Sequence, residues 1–175
     1  MKIVRVDCGL QSSKRTKPVT CIVCHHTVTR TPEATQRVLR ARGVSTHYEV
    51  GPDGSVYEYL DPATRVAWHA RAWNSVSVGV DLTGPPGRTD CDPVMPYPEM
   101  QVAAFAALVR DLARRFGIPV EPVTVRAWKR DPILMNAYLQ IVPHSAIQRG
   151  KVDPSDWRLD GTAWDTVLRP AILRE

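Results

Sequence analysis

Thr20-Cys21-Ile22-Val23-Cys24-His25-His26 is a short, apolar, β-branched run that ends in two histidines. Such a run reads as a buried strand. Directly after it, Thr31-Pro32-Glu33 places an N-cap residue before a proline at the first helical position. The helix so started should run to about Arg42 and stop at Gly43. Further on, His47–Val50 and Ser55–Tyr59 flank Pro52-Asp53-Gly54, turn chemistry that predicts a β-hairpin. Ser75–Leu82 (S-V-S-V-G-V-D-L) alternates strictly. Val76, Val78, Val80 and Leu82 should share one face and Ser75, Ser77, Gly79 and Asp81 the other. Pro98–Phe116 is the clearest helix, with Phe105, Leu108, Leu112 and Phe116 in one stripe and Gly117 as its stop. Thr162–Leu173 is expected to form a C-terminal helix. Residues 1–18 read as an irregular arm, 84–96 as a Pro/Gly-rich loop, and 118–160 show no clear pattern. Strands interspersed with helices imply an α/β fold, one domain with a central mixed β-sheet flanked by helices.

The chain has 175 residues, ordinary for one domain with a sizeable core. We find no internal repeat or low-complexity tract. Its net charge of +5 favours anionic partners. The arginine groups Arg37/Arg40/Arg42 and Arg110/Arg114/Arg115 fall on predicted helices and read as solvated faces. With no recognisable nucleic-acid motif, a nucleic-acid partner is not expected. Arg5 and Asp7 interrupt the apolar N-terminus, so no signal peptide is expected and synthesis in a cytoplasm is. No apolar run is long enough to imply membrane insertion. Cys8, Cys21, Cys24 and Cys91 are then expected to be reduced. A monomer is expected.

The chemistry concentrates in few residues. The five histidines are His25, His26, His47, His69 and His144. If His144 and Asp153 hold one metal, the loop between them lets both reach it from one side. Lys151, two before Asp153, would put its ammonium on the same side in an extended stretch. A third ligand from the strand end, His25 or His26 but not both, completes two nitrogens and a carboxylate, a common catalytic zinc set with an open fourth position. Cys21-Ile22-Val23-Cys24-His25 also matches the C-x-x-C-H haem-attachment pattern, but alternation along a strand sends Cys21 and Cys24 to opposite faces, which argues against haem and against a redox pair.

Six segments carry a resemblance. They are Ile22–Thr27 (I-V-C-H-H-T), Val44–Tyr48 (V-S-T-H-Y), Asp53-Gly54, Ala67–Ala70 (A-W-H-A), Asn74–Gly84 (N-S-V-S-V-G-V-D-L-T-G) and His144–Pro154 (H-S-A-I-Q-R-G-K-V-D-P). In this order they resemble the zinc-dependent N-acetylmuramoyl-L-alanine amidases, a family that includes anhydro-muropeptide amidases, T7-type phage lysozymes and peptidoglycan recognition proteins. The resemblance implies Zn2+ held by His25, His144 and Asp153, with Lys151 stabilising an oxyanion and Asp81 standing where recycling-type members carry a catalytic glutamate. T7-type members use a tyrosine where this chain has Thr46, so the set is similar to the recycling type. Trp68, His69, Asn74 and Thr46 are expected around the substrate, peptidoglycan or a muropeptide. His47 and Asn74 suit a structural hydrogen bond as well as a substrate contact, and His26 is expected behind the strand.

The resemblance further implies a hydrolase that cuts the amide between N-acetylmuramic acid and L-alanine. A phage-type endolysin acting on the cell wall after release is the leading expectation. A cytoplasmic recycling amidase and a non-catalytic peptidoglycan-binding protein are the alternatives. Residues 1–175 would form a single catalytic domain with no separate wall-binding domain. The chain departs from the family pattern at Asp81 (one methylene short), at Pro143 before His144, at Ser155 after Asp153-Pro154, and in a longer segment around Trp128–Gln140.

Overall fold

The computed structural model describes residues 2–84, 97–122, 140–148, 151, 153–154 and 164–174. Cys91, most of the expected 84–96 loop, most of the Trp128–Gln140 segment and Ser155 lie outside them. The apolar run that ends in two histidines is strand β3 (Cys21–His26), flanked by β7 (Ser77–Leu82) and β8 (Gln140–Pro143), both parallel to it. Beyond β7 lie β4 (Tyr48–Val50), β5 (Val56–Glu58) and β1 (Ile3–Arg5). The sheet order is β1-β5-β4-β7-β3-β8, and the β4–β5 hairpin is antiparallel while the other pairs are parallel. This is the mixed sheet expected of an α/β domain, extended at its edge by a strand from the first residues.

Those first residues differ from the expectation of an irregular arm. β1 pairs with β5, and β2 (Ser12–Lys14) pairs antiparallel with β6 (Arg65–Ala67). Arg15 then donates to the carbonyl oxygens of Arg65, Ser75 and Ser77, tying this start to the centre of the fold. β7 also starts later than expected. Arg71–Val76 is a 3-10 helix, so Ser75 and Val76 belong to the approach rather than to the strand.

The two sheet faces have different contents. Ile22, Cys24, Tyr48, Val50, Val78, Val80 and Leu82 point to the main core, where α2 (Glu99–Phe116) supplies Phe105, Leu108 and Leu112. Gly117 ends α2 with φ 65°, a left-handed conformation that glycine adopts without cost from a Cβ. A π-helical turn Trp164–Leu168 and the helix after it, Arg169–Leu173, add Trp164, Leu168 and Ile172 to that core. The expected C-terminal helix is therefore present in two pieces.

The opposite face carries Cys21, Val23, His25, Glu49, Ser77, Gly79 and Asp81. The helix α1 (Pro32–Arg42) begins where expected. Thr31 Oγ1 accepts the Ala34 amide at 3.2 Å and Gly43, at φ 62°, closes it. Only Pro32 and Thr35 of α1 are buried. Its anchor is Thr35, whose hydroxyl donates to Glu49 Oε1 at 2.7 Å. Tyr59 and Thr83 donate to the same carboxyl, which is fully buried. None of the helices among the described residues is long and apolar enough to cross a membrane.

Candidate active site

Parallel strands bring functional residues together at their carboxyl ends. Strand register does this here. His25 pairs with Asp81, and Asp81 pairs with Glu49 on the next strand. On the other side Cys24 pairs with Pro143, so the chain leaves β8 beside the end of β3 and the next residue, His144, arrives next to His25. His144 opens a single helical turn, α3 (His144–Ile147). The chain then folds back, with the Ser145 amide donating to the Asp153 carbonyl at 2.9 Å and the Lys151 amide to the Gln148 carbonyl at 3.2 Å. Lys151 and Asp153 thus return to the same place.

The three expected ligand atoms form a nearly equilateral triangle. His25 Nδ1 lies 3.0 Å from His144 Nδ1 and 3.1 Å from Asp153 Oδ2, and the last two are 3.0 Å apart. All three residues are buried. Ligands of a tetrahedral ion at about 2.0–2.1 Å stand roughly 3.3–3.4 Å from each other. The triangle needs to open by only a few tenths of an ångström, so two imidazoles and a carboxylate fit one such ion. Among the described residues this is the group of histidines, cysteines and acids that could hold a metal.

The electrostatics agree. Burial lowers the pKa of His25 to about 4, partly opposed by the Asp153 carboxyl beside Nδ1, which favours the charged ring, so the ring is neutral. Burial works to raise Asp153, but the His144 and His25 rings, 3.0 and 3.1 Å from its Oδ2, outweigh it and hold the carboxyl below the usual carboxylate range. Asp81 is pushed well above that range, chiefly by burial and further by the neighbouring Glu49 and Asp153 carboxyls. Two carboxyls in one site with opposite shifts are suited to different tasks, one as a permanent anion and one as a proton carrier.

A cleft of roughly 470 Å³ opens over this group, with Asp81, His144, Lys151 and Asp153 in its lining. Its other wall is α1 and the segment after it. Val38, Leu39, Arg42 and Val44 line it, with Val28 and Trp68 near the rim. Trp68 is 39% exposed, enough to meet a ligand. Val38 and Leu39 of α1 therefore face the cleft, and Leu39 also packs against the small buried cluster of Cys8, Leu10 and Tyr59.

Two expected substrate contacts are placed differently. Asn74 is outside the cleft lining. Its carboxamide oxygen accepts the amides of His69 and Ala70 at 3.0 and 2.6 Å, and so holds the loop that carries Trp68 and His69. Thr46 is 1% exposed and also outside the lining, with its hydroxyl donating to the Tyr48 carbonyl at 3.4 Å. The Asn74 carboxamide oxygen and the Thr46 hydroxyl are thus engaged with backbone groups behind the wall. His26, expected behind the strand, has its Nδ1 3.1 Å from the Tyr97 hydroxyl on the core side, but it also lines the cleft at the strand end. His47 is fully buried. Its Nδ1 accepts the Gly79 amide at 2.9 Å and its Nε2 meets the Arg65 carbonyl at 3.2 Å. Cys21 and Cys24 are fully buried on opposite faces, and burial raises both thiols, which removes the haem and redox readings.

The structure adds a residue that the sequence reading did not assign. Gln148 Oε1 is 3.0 Å from His144 Nε2. The i,i+4 spacing of His144 and Gln148 was the available signal. His69, expected at the cleft rim, lines the cleft and also meets His25, with Nδ1 2.9 Å from His25 Nε2 and the two rings edge to face. Burial lowers the His69 pKa well below the usual value.

Comparison with known proteins gives a consistent result. Residues 15–156 match the family model described as N-acetylmuramoyl-L-alanine amidase. A candidate N-acetylmuramoyl-L-alanine amidase of Rickettsia conorii is 29% identical over 99 residues, a match that spans 55% of this chain and 37% of that protein. The fold is shared with an endolysin N-acetylmuramoyl-L-alanine amidase of Clostridium intestinale (TM-score 0.65, 20% identity, 89% of this chain and 88% of that one). It is shared too with a mutant Bacillus subtilis endolysin (TM-score 0.64, 18% identity, 98% of each chain). A Drosophila peptidoglycan recognition protein has the same fold (TM-score 0.60, 15% identity, 90% of this chain and 84% of that one). The match covers five of the six strands of the sheet, the residues that line the cleft and all three residues of the triangle, and the chain belongs to the N-acetylmuramoyl-L-alanine amidase family.

Proposed function

We propose that this chain is a zinc hydrolase that cleaves the amide between N-acetylmuramic acid and L-alanine in bacterial peptidoglycan. The observation that carries the reading is the buried His25/His144/Asp153 triangle at the base of a cleft that Asp81 and Lys151 also line. Those three residues would hold a zinc ion, which would supply Lewis acidity for a bound carbonyl and for water near neutral pH. Asp81 accepts the proton of the attacking water at its carboxyl and delivers it to the nitrogen of the leaving L-alanine. Its raised pKa suits both halves of that transfer. The Lys151 ammonium stabilises the oxyanion of the tetrahedral intermediate. Trp68 and the apolar wall from α1 hold the substrate, and His69 faces it across the cleft.

Within this activity an endolysin acting on intact walls is the reading favoured by charge. A net +5 draws the protein to an acidic wall. A non-catalytic recognition protein is disfavoured by the complete ligand triangle. Purified sacculi and soluble anhydro-muropeptides digested in parallel test all three readings. Free L-alanine amino termini without new reducing sugars are expected from both substrates, with loss of activity on chelation and recovery with zinc. Cleavage of the soluble fragments alone would identify a recycling amidase. No cleavage of either by zinc-loaded protein would leave a binding protein, and new reducing ends would refute amidase chemistry.

A further inference from the structure

We infer that His69 is a positioning residue for the metal centre. It fixes His25 as an Nδ1 ligand through a hydrogen-bonded chain that ends on the Trp73 carbonyl. The inference rests on the metal reading of the triangle but concerns a residue outside it.

The direction of every bond in the chain follows from its end. A backbone carbonyl can only accept, so the Ser77 hydroxyl, 2.7 Å from the Trp73 oxygen, must donate to it. With its single hydrogen used, Ser77 Oγ can only accept from His69 Nε2, 3.1 Å away. His69 then carries its proton on Nε2, and its Nδ1 is a bare acceptor. The atom 2.9 Å from that acceptor is His25 Nε2, which must therefore be the protonated nitrogen of His25. What remains of His25 is an unprotonated Nδ1, the atom that faces His144 and Asp153. One carbonyl thus sets the tautomers of two histidines in series. Which ring nitrogen binds a metal is ordinarily set by the hydrogen bond of the other nitrogen. Gln148 stands in the same relation to His144 Nε2.

The sheet is built to admit this ring. Ser77, Gly79 and Asp81 point to the site face. A Cβ added to Gly79 would lie 2.9 Å from His69 Cγ and Nδ1 and 2.9 Å from Thr46 Oγ1. The absent side chain leaves the space that His69 occupies. The loop is held as well, because Asn74 takes the amides of His69 and Ala70.

The test uses the full chain and two readouts that need no turnover. In the metal-free protein, long-range proton–nitrogen NMR of the His25 ring should report a hydrogen on Nε2. Removal of the acceptor in His69→Leu should give mixed tautomers. Zinc competition against a chromophoric chelator should then show affinity weakened by about 10–100-fold, the usual cost of losing such a partner. His69→Asn places an acceptor oxygen near the former Nδ1 and should recover most of the affinity and the Nε2–H signal. Ser77→Ala, a milder change, should mix the His69 tautomers and weaken zinc by several-fold. Wild-type zinc affinity together with an unchanged His25 tautomer in folded His69→Leu would overturn the inference. So would a wild-type protein whose His25 hydrogen sits on Nδ1. A wild type with the expected tautomer but no zinc affinity would instead count against the metal reading, so the two failures are separable.

Discussion

His47 offers a direct measurement of what burial of a neutral ring does to stability. The side chain is fully buried, with Nδ1 accepting the Gly79 amide and Nε2 donating to the Arg65 carbonyl. Both ring atoms are satisfied only in the neutral form, and burial lowers the pKa to about 3 from an ordinary value of 6.5. The sign follows from proton counting. Between pH 6.5 and pH 3 the unfolded chain binds a proton at this site and the folded chain does not. The contribution to stability is therefore complete above about pH 6.5 and is lost as pH falls toward 3. Between pH 7 and pH 4 the two pKa values give about 3 kcal/mol, a large share of a typical 5–15 kcal/mol domain stability. Glutamine at this position keeps one donor and one acceptor but does not titrate. Urea unfolding of the wild type and of His47→Gln, both with excess chelator, should be followed at intervals from pH 7 to pH 4. The variant is expected to be less stable at pH 7 because its amide cannot reproduce the ring geometry. Its stability should then fall less steeply, with the gap between the two curves closing by about 3 kcal/mol at pH 4. Carboxyl groups and the other histidines titrate in both proteins and cancel in the difference. Parallel curves would show that His47 is protonated in the fold or hydrated, and would refute the argument.

Asp81→Asn should keep zinc and the fold but lose about 10²–10⁴-fold in turnover, while Asp81→Glu stays active; kcat and metal content measured together check this. Glu49→Gln should lose roughly 1–3 kcal/mol in urea unfolding, because an amide group would face the Tyr59 hydroxyl that now donates to a carboxyl oxygen. Lysis of intact walls should weaken with salt, since exposed charges are screened over about 8 Å at physiological ionic strength, while cleavage of soluble muropeptides changes little; turbidity and product assays across a salt series check it.

What was legible in the sequence was the alternation of faces. In β7 the valines mark one side, so Asp81 had to share the other with Ser77 and Gly79, and the C-x-x-C pair of β3 had to split. Those inferences needed only local geometry, and the sheet bears them out. The helices were legible at their ends because Thr31, Gly43 and Gly117 act within one turn. What was not legible depends on distant partners. β1, β2 and β6 are three residues each and exist because β5 and one another complete their hydrogen bonds. β8 ends in a proline and gains its strand character from β3. At the site, the triangle was found by resemblance and not by spacing, since 119 residues separate His25 from His144. Glu49 shows the limit most clearly. Tyr48-Glu49-Val50 reads as a strand with one outward acid, and periodicity does place Glu49 opposite the two core residues. Periodicity names the face but not what covers it. Here α1 crosses that face, Thr35 and Thr83 arrive with hydroxyls, and Tyr59 adds a third, so an outward acid becomes a buried one. The same argument applies to His69. A histidine in a loop carries no mark of its partners, and only the glycine at position 79, which looks like a weak point in a strand, hints that something must pass close to the sheet there.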